Sequence, residues 1–453
     1  MFHHPAEDGG MKDEQARRQA LQAMLRALAD AEGELLDALH HDLGKSPSEA
    51  YVSELEGVRS ECRHALAHLH RWMKPERRKL PPMAWPGRAV LHREPCGSVL
   101  VISPWNYPVF LSLTPVACAL AAGCSVVLKP SERAPRVAEV LDRMMAGAFP
   151  SGLVSVIVGD GGTAKELLKK RFDHFFFTGS RGTGLEVAAA AARHGVPATL
   201  ELGGKCPVMM FSGGGAGGTK LRDRLDTAAR RIAWGKYLNA GQTCVAPDHV
   251  LVERDLYEPL LDALKRAFDS FGRDGYGKMV DRRHFDRVRA YLGQGTIFHG
   301  GVVDEATLSI SPTILTDVAD DAGVMKEEIF GPVLPVIPCD DLEDGLRRAR
   351  ANPDPLAVYP FTEDAGVVER IRAELRSGAV CVNDVVVHVA GVDLPFGGTG
   401  NSGMGRYRGR AGFDAFSRER IVLNRGLRWD LPFRYPPLPD LKNLKRALKI
   451  FGA

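Results

Sequence analysis

At 453 residues the chain exceeds the size at which a single hydrophobic core stops growing, so two or three domains are expected. Hydrophobic residues at 45% and charged residues at 25% are ordinary globular values, which excludes extensive disorder away from the ends. A net charge of +3 does not suggest nucleic acid, which usually demands a concentrated basic face, and no nucleic-acid partner is expected.

The polar start, Met1 to Gly10, lacks the apolar run of a signal peptide. No window holds about eighteen uninterrupted apolar residues, so no integral membrane segment is expected. From Met11 to Met73 the chain reads as helix: Leu21, Met24, Leu25 and Leu28 form one apolar face, the stretch 44–47 breaks it, and Pro75 ends it. Residues 79–86 are proline-rich and irregular.

A different rhythm begins at Cys96. Ser98–Ser103, Ser125–Lys129, Val154–Val158, His174–Phe177 and Ala198–Leu202 read as buried parallel strands with helices between most of them. This alternation predicts an α/β fold with doubly wound sheets. Polar and glycine-rich loops follow the strand ends at 104–108, 129–132, 178–180 and 203–205. Ligands in such sheets bind beyond the carboxyl ends of strands, so one crevice fed by four loops is expected. The glycine-rich run 212–218 suits a surface loop or junction. A second α/β region follows to about Val386. The basic tail carries Leu441, Leu444, Leu448 and Phe451 at helical spacing and reads as a docking helix ahead of a membrane-surface helix.

The eight cysteines include no CxxC pair. That argues against a disulfide framework or zinc ribbon, fits a reducing compartment with cytoplasm as the default, and suggests no metal. Cys118 and Cys124 lie among small apolar residues and read as core. Cys244, in the polar stretch 239–245, reads as a nucleophile or as one more structural cysteine; a free thiol needs help to ionise at neutral pH. Glu201 ends an apolar strand, where burial would raise its pKa toward that of a general base; pairing with Lys205 is the equal alternative. Asn106, held between Pro104 and Pro108, reads as an oxyanion donor or an Asx-turn.

For a dinucleotide, Gly179 and Gly184 open a helix after a strand and present N–H groups suited to a pyrophosphate. Lys129 and Glu132 at another strand end could hold ribose hydroxyls or form a surface ion pair. A carboxylate there repels a 2′-phosphate and favours NAD over NADP. Glu328 and Phe330 could take a ribose hydroxyl and pack on nicotinamide. A literal GxGxxG at 398–403 lacks a surrounding strand–turn–helix and is set aside.

Together, Pro-Trp-Asn-Tyr-Pro at 104, Lys-Pro-Ser-Glu at 129, Phe-Thr-Gly-Ser at 177, Glu-Leu-Gly-Gly-Lys at 201, Gly-Gln-Thr-Cys at 241 and Glu-Glu-Ile-Phe-Gly-Pro at 327 resemble the aldehyde dehydrogenase superfamily. The stretches 231–237, 383–388, 394–405 and 434–437 are most similar to its short-subunit class 3 branch, which includes coniferyl aldehyde dehydrogenase-like enzymes. The resemblance implies a Rossmann-like cofactor domain over 1–204 with an arm hairpin about 79–95. It further implies a catalytic domain over 205–386, and a return to the cofactor domain with an oligomerisation segment and tail over 387–453. It implies Cys244 as nucleophile, Glu201 as general base, Asn106 as oxyanion donor, and Lys129, Glu132, Gly179, Ser180, Gly184, Glu328 and Phe330 at the cofactor. The implied reaction is oxidation of an aliphatic or aromatic aldehyde to its acid through a thioester, with NAD and tolerated NADP, in a homodimer. CoA-acylating and semialdehyde dehydrogenases are the alternatives; the strand-end Glu201 argues against the first.

Overall fold

A computed structural model describes residues 11, 13–81, 84–213, 221–272, 276–430 and 435–450. The expected α/β fold is present, organised around two large sheets. The first is six-stranded, in the order 403–404, 198–202, 174–179, 98–102, 125–129, 154–156. All its neighbours run parallel except the short Gly403–Met404 strand, which pairs antiparallel with Leu200 and Glu201. The five strands read from sequence are all here; Val154–Val156 stops two residues early and His174–Gly179 runs two residues long. Strand Ser98–Ile102 is buried along its whole length, which is why it reads as a continuous apolar run.

The chain leaves this sheet at Leu202 and begins the second at Pro207. That sheet has seven strands, in the order 296–299, 313–316, 333–339, 249–253, 207–210, 357–361, 379–380, parallel except between the first two. The stretch 79–95 does not form a hairpin by itself. Glu76–Arg78 pairs with Gly87–Pro95, and that strand pairs along nine residues with Ser417–Arg425 from the far end of the chain. A long-range partner of this kind has no local signature.

The helical N-terminus packs on helices Phe110–Ala122 and Pro135–Ala148, which lie against the first sheet. Helix Glu14–Asp30 buries Leu21, Met24 and Leu28 as their spacing predicts, together with Arg17, whose guanidinium donates to the Met11 and Ala121 carbonyls. The expected break is real: Gly44 ends helix Glu32–Leu43 in the left-handed conformation, and Ser46 caps the next turn. A π-helical turn at Tyr51–Leu55 then precedes helix Glu56–Met73. The glycine-rich run at 214–218 lies outside the described residues, as does Phe451 of the tail. The tail helix Leu441–Ile450 forms, with Leu441 exposed.

Candidate active site

Strand 98–102 winds outward through 125–129 and 154–156, and the chain then returns to place 174–179 on its other side. The carboxyl ends of 98–102 and 174–179 therefore flank the topological switch point, where the following loops diverge and leave a crevice. A cavity of about 280 Å³ opens there. Asn106, Gly179, Ser180, Glu201, Cys244, Glu328 and Phe330 line it, with Trp105, Leu111, Arg287, Phe396 and Tyr407 among the other walls. Lys129, Glu132 and Gly184 are not part of that lining.

Cys244 follows a tight turn after helix Leu225–Tyr237. Asn239, Ala240 and Gly241 are all left-handed, with φ of 51°, 51° and 71°. A Cβ on Gly241 would sit 2.2 Å from the Gly331 carbonyl oxygen, so only glycine lets the turn press on that backbone. The turn is held by its own side chains. Asn239 Nδ2 donates to the carbonyls of Asn106 (2.7 Å) and Gln242 (3.1 Å). Gln242 Nε2 donates to the carbonyls of Asn239 and Lys278, and its Oε1 accepts from the Val280 N–H. Asn106 is buried, and its Nδ2 donates to the Gln242 carbonyl at 3.0 Å. A carboxamide carries a second N–H, which leaves a donor for the cavity.

Behind Asn106 lies a charged group absent from the sequence reading. Lys45 is fully buried; its Nζ donates to Glu54 (2.5 Å) and to the Asn106 carbonyl (3.0 Å), and sits 3.9 Å from the centre of the Tyr107 ring. The other Glu54 oxygen accepts the N–H groups of Val109 and Phe110, which open the buried helix Phe110–Ala122. The N-terminal helices thus clamp the loop that carries Asn106.

Glu201 is buried with neither carboxyl oxygen hydrogen-bonded. Pairing with Lys205 is not its fate: Lys205 is bound to Asp248 and donates to the Val324 and Glu327 carbonyls. Burial holds the Glu201 carboxyl well above the usual carboxylate range, with Arg406 opposing. Glu328 accepts from the Gly204 N–H at 3.2 Å, and burial and Asp248 push it up to about 8. A Cβ on Gly203 would meet its carboxylate at 2.1 Å, which accounts for that glycine. Burial pushes the Cys244 thiol up to about 12, with Glu328 and Glu201 adding to the rise. Burial therefore disfavours the charged forms of the thiol and of both carboxyls.

The cavity's other end fits a dinucleotide. Helix Arg181–His194 begins after Ser180 with no side-chain cap, leaving first-turn N–H groups free for an anion. The Thr178 hydroxyl is buried without a partner. Gly184 is where this helix meets its strand: a Cβ there would lie 2.6 Å from Leu202 Cδ2. Lys129 and Glu132 pair with each other at 2.9 Å, at the end of the neighbouring strand. Phe330 is left-handed and stands edge-on to Trp105 at 5.4 Å. Arg287, also absent from the sequence reading, donates to the carbonyls of Glu328 and Ile329 and so fixes that segment. The GxGxxG stretch serves backbone packing instead: Gly403 lies opposite Glu201, where a Cβ would meet the Leu200 carbonyl at 2.2 Å.

Residues 11–422 match the aldehyde dehydrogenase family. The dimeric NADP-preferring aldehyde dehydrogenase of Rattus norvegicus is 39% identical, over 95% of this chain and 95% of its own. The substrate-bound AldH of Staphylococcus aureus superposes with a TM-score of 0.91 at 35% identity, covering 98% of this chain and 96% of that one. A Mycobacterium tuberculosis aldehyde dehydrogenase complexed with NAD+ superposes with a TM-score of 0.79 at 29% identity, covering 92% and 86%.

Proposed function

Since this chain belongs to the aldehyde dehydrogenase family and is an NAD(P)-dependent enzyme that oxidises aldehydes, we propose that Cys244 is its nucleophile, Glu201 its general base and Asn106 its oxyanion donor. The observation that carries this reading is a single cavity lined by a thiol, an unpartnered carboxyl and a carboxamide.

Cys244 Sγ bonds to the aldehyde carbon, and its proton passes to an ionised carboxylate of the cavity, which releases it to solvent before the second step. The oxyanion accepts from Asn106 Nδ2 and from the Cys244 backbone N–H. When bound, the oxidised dinucleotide accepts the hydride, and its positive ring favours the anions that burial disfavours. Gly179, Ser180 and the first turn of helix 181–194 hold its pyrophosphate, with Gly184 allowing the close packing that brings them there. Glu328 and Phe330 face its nicotinamide end, and Lys129 and Glu132 its ribose. A thioester on Cys244 remains. Glu201 takes a proton from water, whose oxygen attacks the thioester carbon; the acid leaves and the thiol is restored. A second reading gives the base role to Glu328, the other buried carboxyl that lines the cavity with Cys244.

Trp105, Leu111, Leu356 and Phe396 line the cavity, which supports medium or long aliphatic or aromatic substrates. A semialdehyde would need a free cation, and the Arg287 guanidinium is turned to backbone carbonyls. Glu132 supports NAD as the preferred cofactor, and the adjacent Lys129 charge supports tolerance of the 2′-phosphate. The division at 1–204, 205–386 and 387–453 is supported by the passage between sheets at 203–206 and by the return strand at 403–404. A homodimer is supported by the word dimeric in the rat relative's name and by the exposed strand Ser417–Arg425. Eight free cysteines support a reducing, cytoplasmic setting. Among the described residues no helix is long and apolar enough to cross a membrane.

Rapid mixing tests the assignment. Glu201→Gln is expected to keep a first turnover of NADH and then slow by about a hundredfold or more, and Cys244→Ala to give no NADH at all. An undiminished steady state in Glu201→Gln with a slowed Glu328→Gln would transfer the base role to Glu328.

A further inference from the structure

Cys96 and Cys124 are 28 residues apart in sequence, yet their sulfurs lie 3.4 Å apart. Cys96 sits between the long antiparallel strand Gly87–Pro95 and Ser98–Ile102; Cys124 begins the approach to Ser125–Lys129. The parallel register pairs Ser98 with Ser125, and the Ser125 N–H donates to the Gly97 carbonyl. The two cysteines therefore lie just before adjacent strands, one register step from directly opposite each other. Closing the bond needs the sulfurs to approach by about 1.4 Å.

We propose that Cys96 and Cys124 form a reversible oxidation site that a hydroperoxide converts to an intramolecular disulfide. The two sulfurs differ in exposure, which decides the one a peroxide reaches; the Cys96 thiol is raised by its hydrogen bond with Cys124 and by burial, so the first step is the slow one. Cys96 is partly exposed and Cys124 is buried. The Cys96 sulfur displaces alcohol or water from the hydroperoxide and becomes a sulfenic acid. Cys124 then attacks that sulfur, the S–S bond forms and water leaves. The sum is two thiols and one hydroperoxide giving one disulfide, one alcohol (or water) and one water. Two electrons pass from sulfur to oxygen.

The surroundings support the second step. Burial opposes charge on Cys124, but the Cys96 thiol, the backbone at Gly97 and Cys96, and the buried Arg17 guanidinium together bring its thiol below the ordinary value. The same cation makes Cys124 the better leaving group when a reducing dithiol attacks at Cys96. The cross-link lies at the amino ends of these strands, whereas the cavity lies at their carboxyl ends, so turnover is expected to survive its formation.

The test uses the full-length enzyme, reduced and then treated with hydrogen peroxide or cumene hydroperoxide. Free thiols are next blocked with N-ethylmaleimide and the peptides mapped. The expected result is a cross-linked peptide joining Cys96 to Cys124, lost on treatment with dithiothreitol and absent from Cys96→Ser. The melting temperature of the oxidised wild type should rise by a few degrees, reversibly, with no such rise in Cys96→Ser. Full alkylation of both cysteines in a sample whose Cys244 is already oxidised would overturn the proposal. So would conversion of Cys96 to its sulfinic acid without a cross-link. The wild-type map decides the matter even if a variant folds poorly.

Discussion

Single side chains in the cavity are ionisable groups whose charged forms their surroundings disfavour, and that fixes a pH dependence. Cys244 and Glu328 have pKa values raised to about 12 and about 8, in each case chiefly by burial, so both are protonated at neutral pH. Nucleophile and base act in their deprotonated forms. Under the second reading, in which Glu328 is the base, the rate should rise as pH climbs through about 8, and Glu328→Gln should flatten that part of the profile. A profile of kcat/KM that is level from neutral to alkaline pH would contradict that reading. The residue types were readable from the chain: Cys244, Glu201 and Asn106 each stood beside a strand end or a tight turn. Their electrostatic state was not, because it depends on what surrounds them in space. Glu201 could equally have met Lys205, and only the folded chain shows that Lys205 is taken by Asp248.

Elements far apart in sequence hold the oxyanion loop. Lys45 comes from the break after the second helix, Glu54 from the π-helical turn, Asn106 from the loop after Ser98–Ile102 and Asn239 from the nucleophile turn. The ammonium is wholly buried, so its removal leaves Glu54 without its cation. Lys45→Met should cost about 3 kcal/mol or more in stability. Lys45→Met with Glu54→Gln should recover much of that stability while turnover stays low by on the order of tenfold to a hundredfold, since the Asn106 loop loses its tether. Thermal melting and steady-state kinetics on the two variants check this; full activity in the double variant would show that the clamp does not position Asn106. In the sequence Lys45 reads as part of a helix break and Glu54 as an ordinary helix residue, because nothing in a local pattern shows that a break points inward.

For the whole molecule, strand Ser417–Arg425 is the outer strand of its sheet, with no described neighbour on its free side. Ile421 and Leu423, on one face, are 65% and 49% exposed. An unpaired edge with exposed apolar side chains is a surface that soluble proteins cover. For the proposed homodimer, Ile421→Glu with Leu423→Glu is expected to give a monomer in sedimentation experiments, with little change in secondary structure. A dimer that persists in that variant would place the interface elsewhere.

By itself the sequence determined the five parallel strands of the first sheet, the order of its loops and the family to which the chain belongs. These follow from apolar periodicity and from motifs only a few residues long, both local properties. Tertiary structure alone decided three things: the pairing of Gly87–Pro95 with a strand more than three hundred residues later, the burial of Lys45 behind Asn106 and the meeting of Cys96 with Cys124. Each depends on which distant surfaces pack together, and packing is set by the sum of all contacts, which no short window of residues contains.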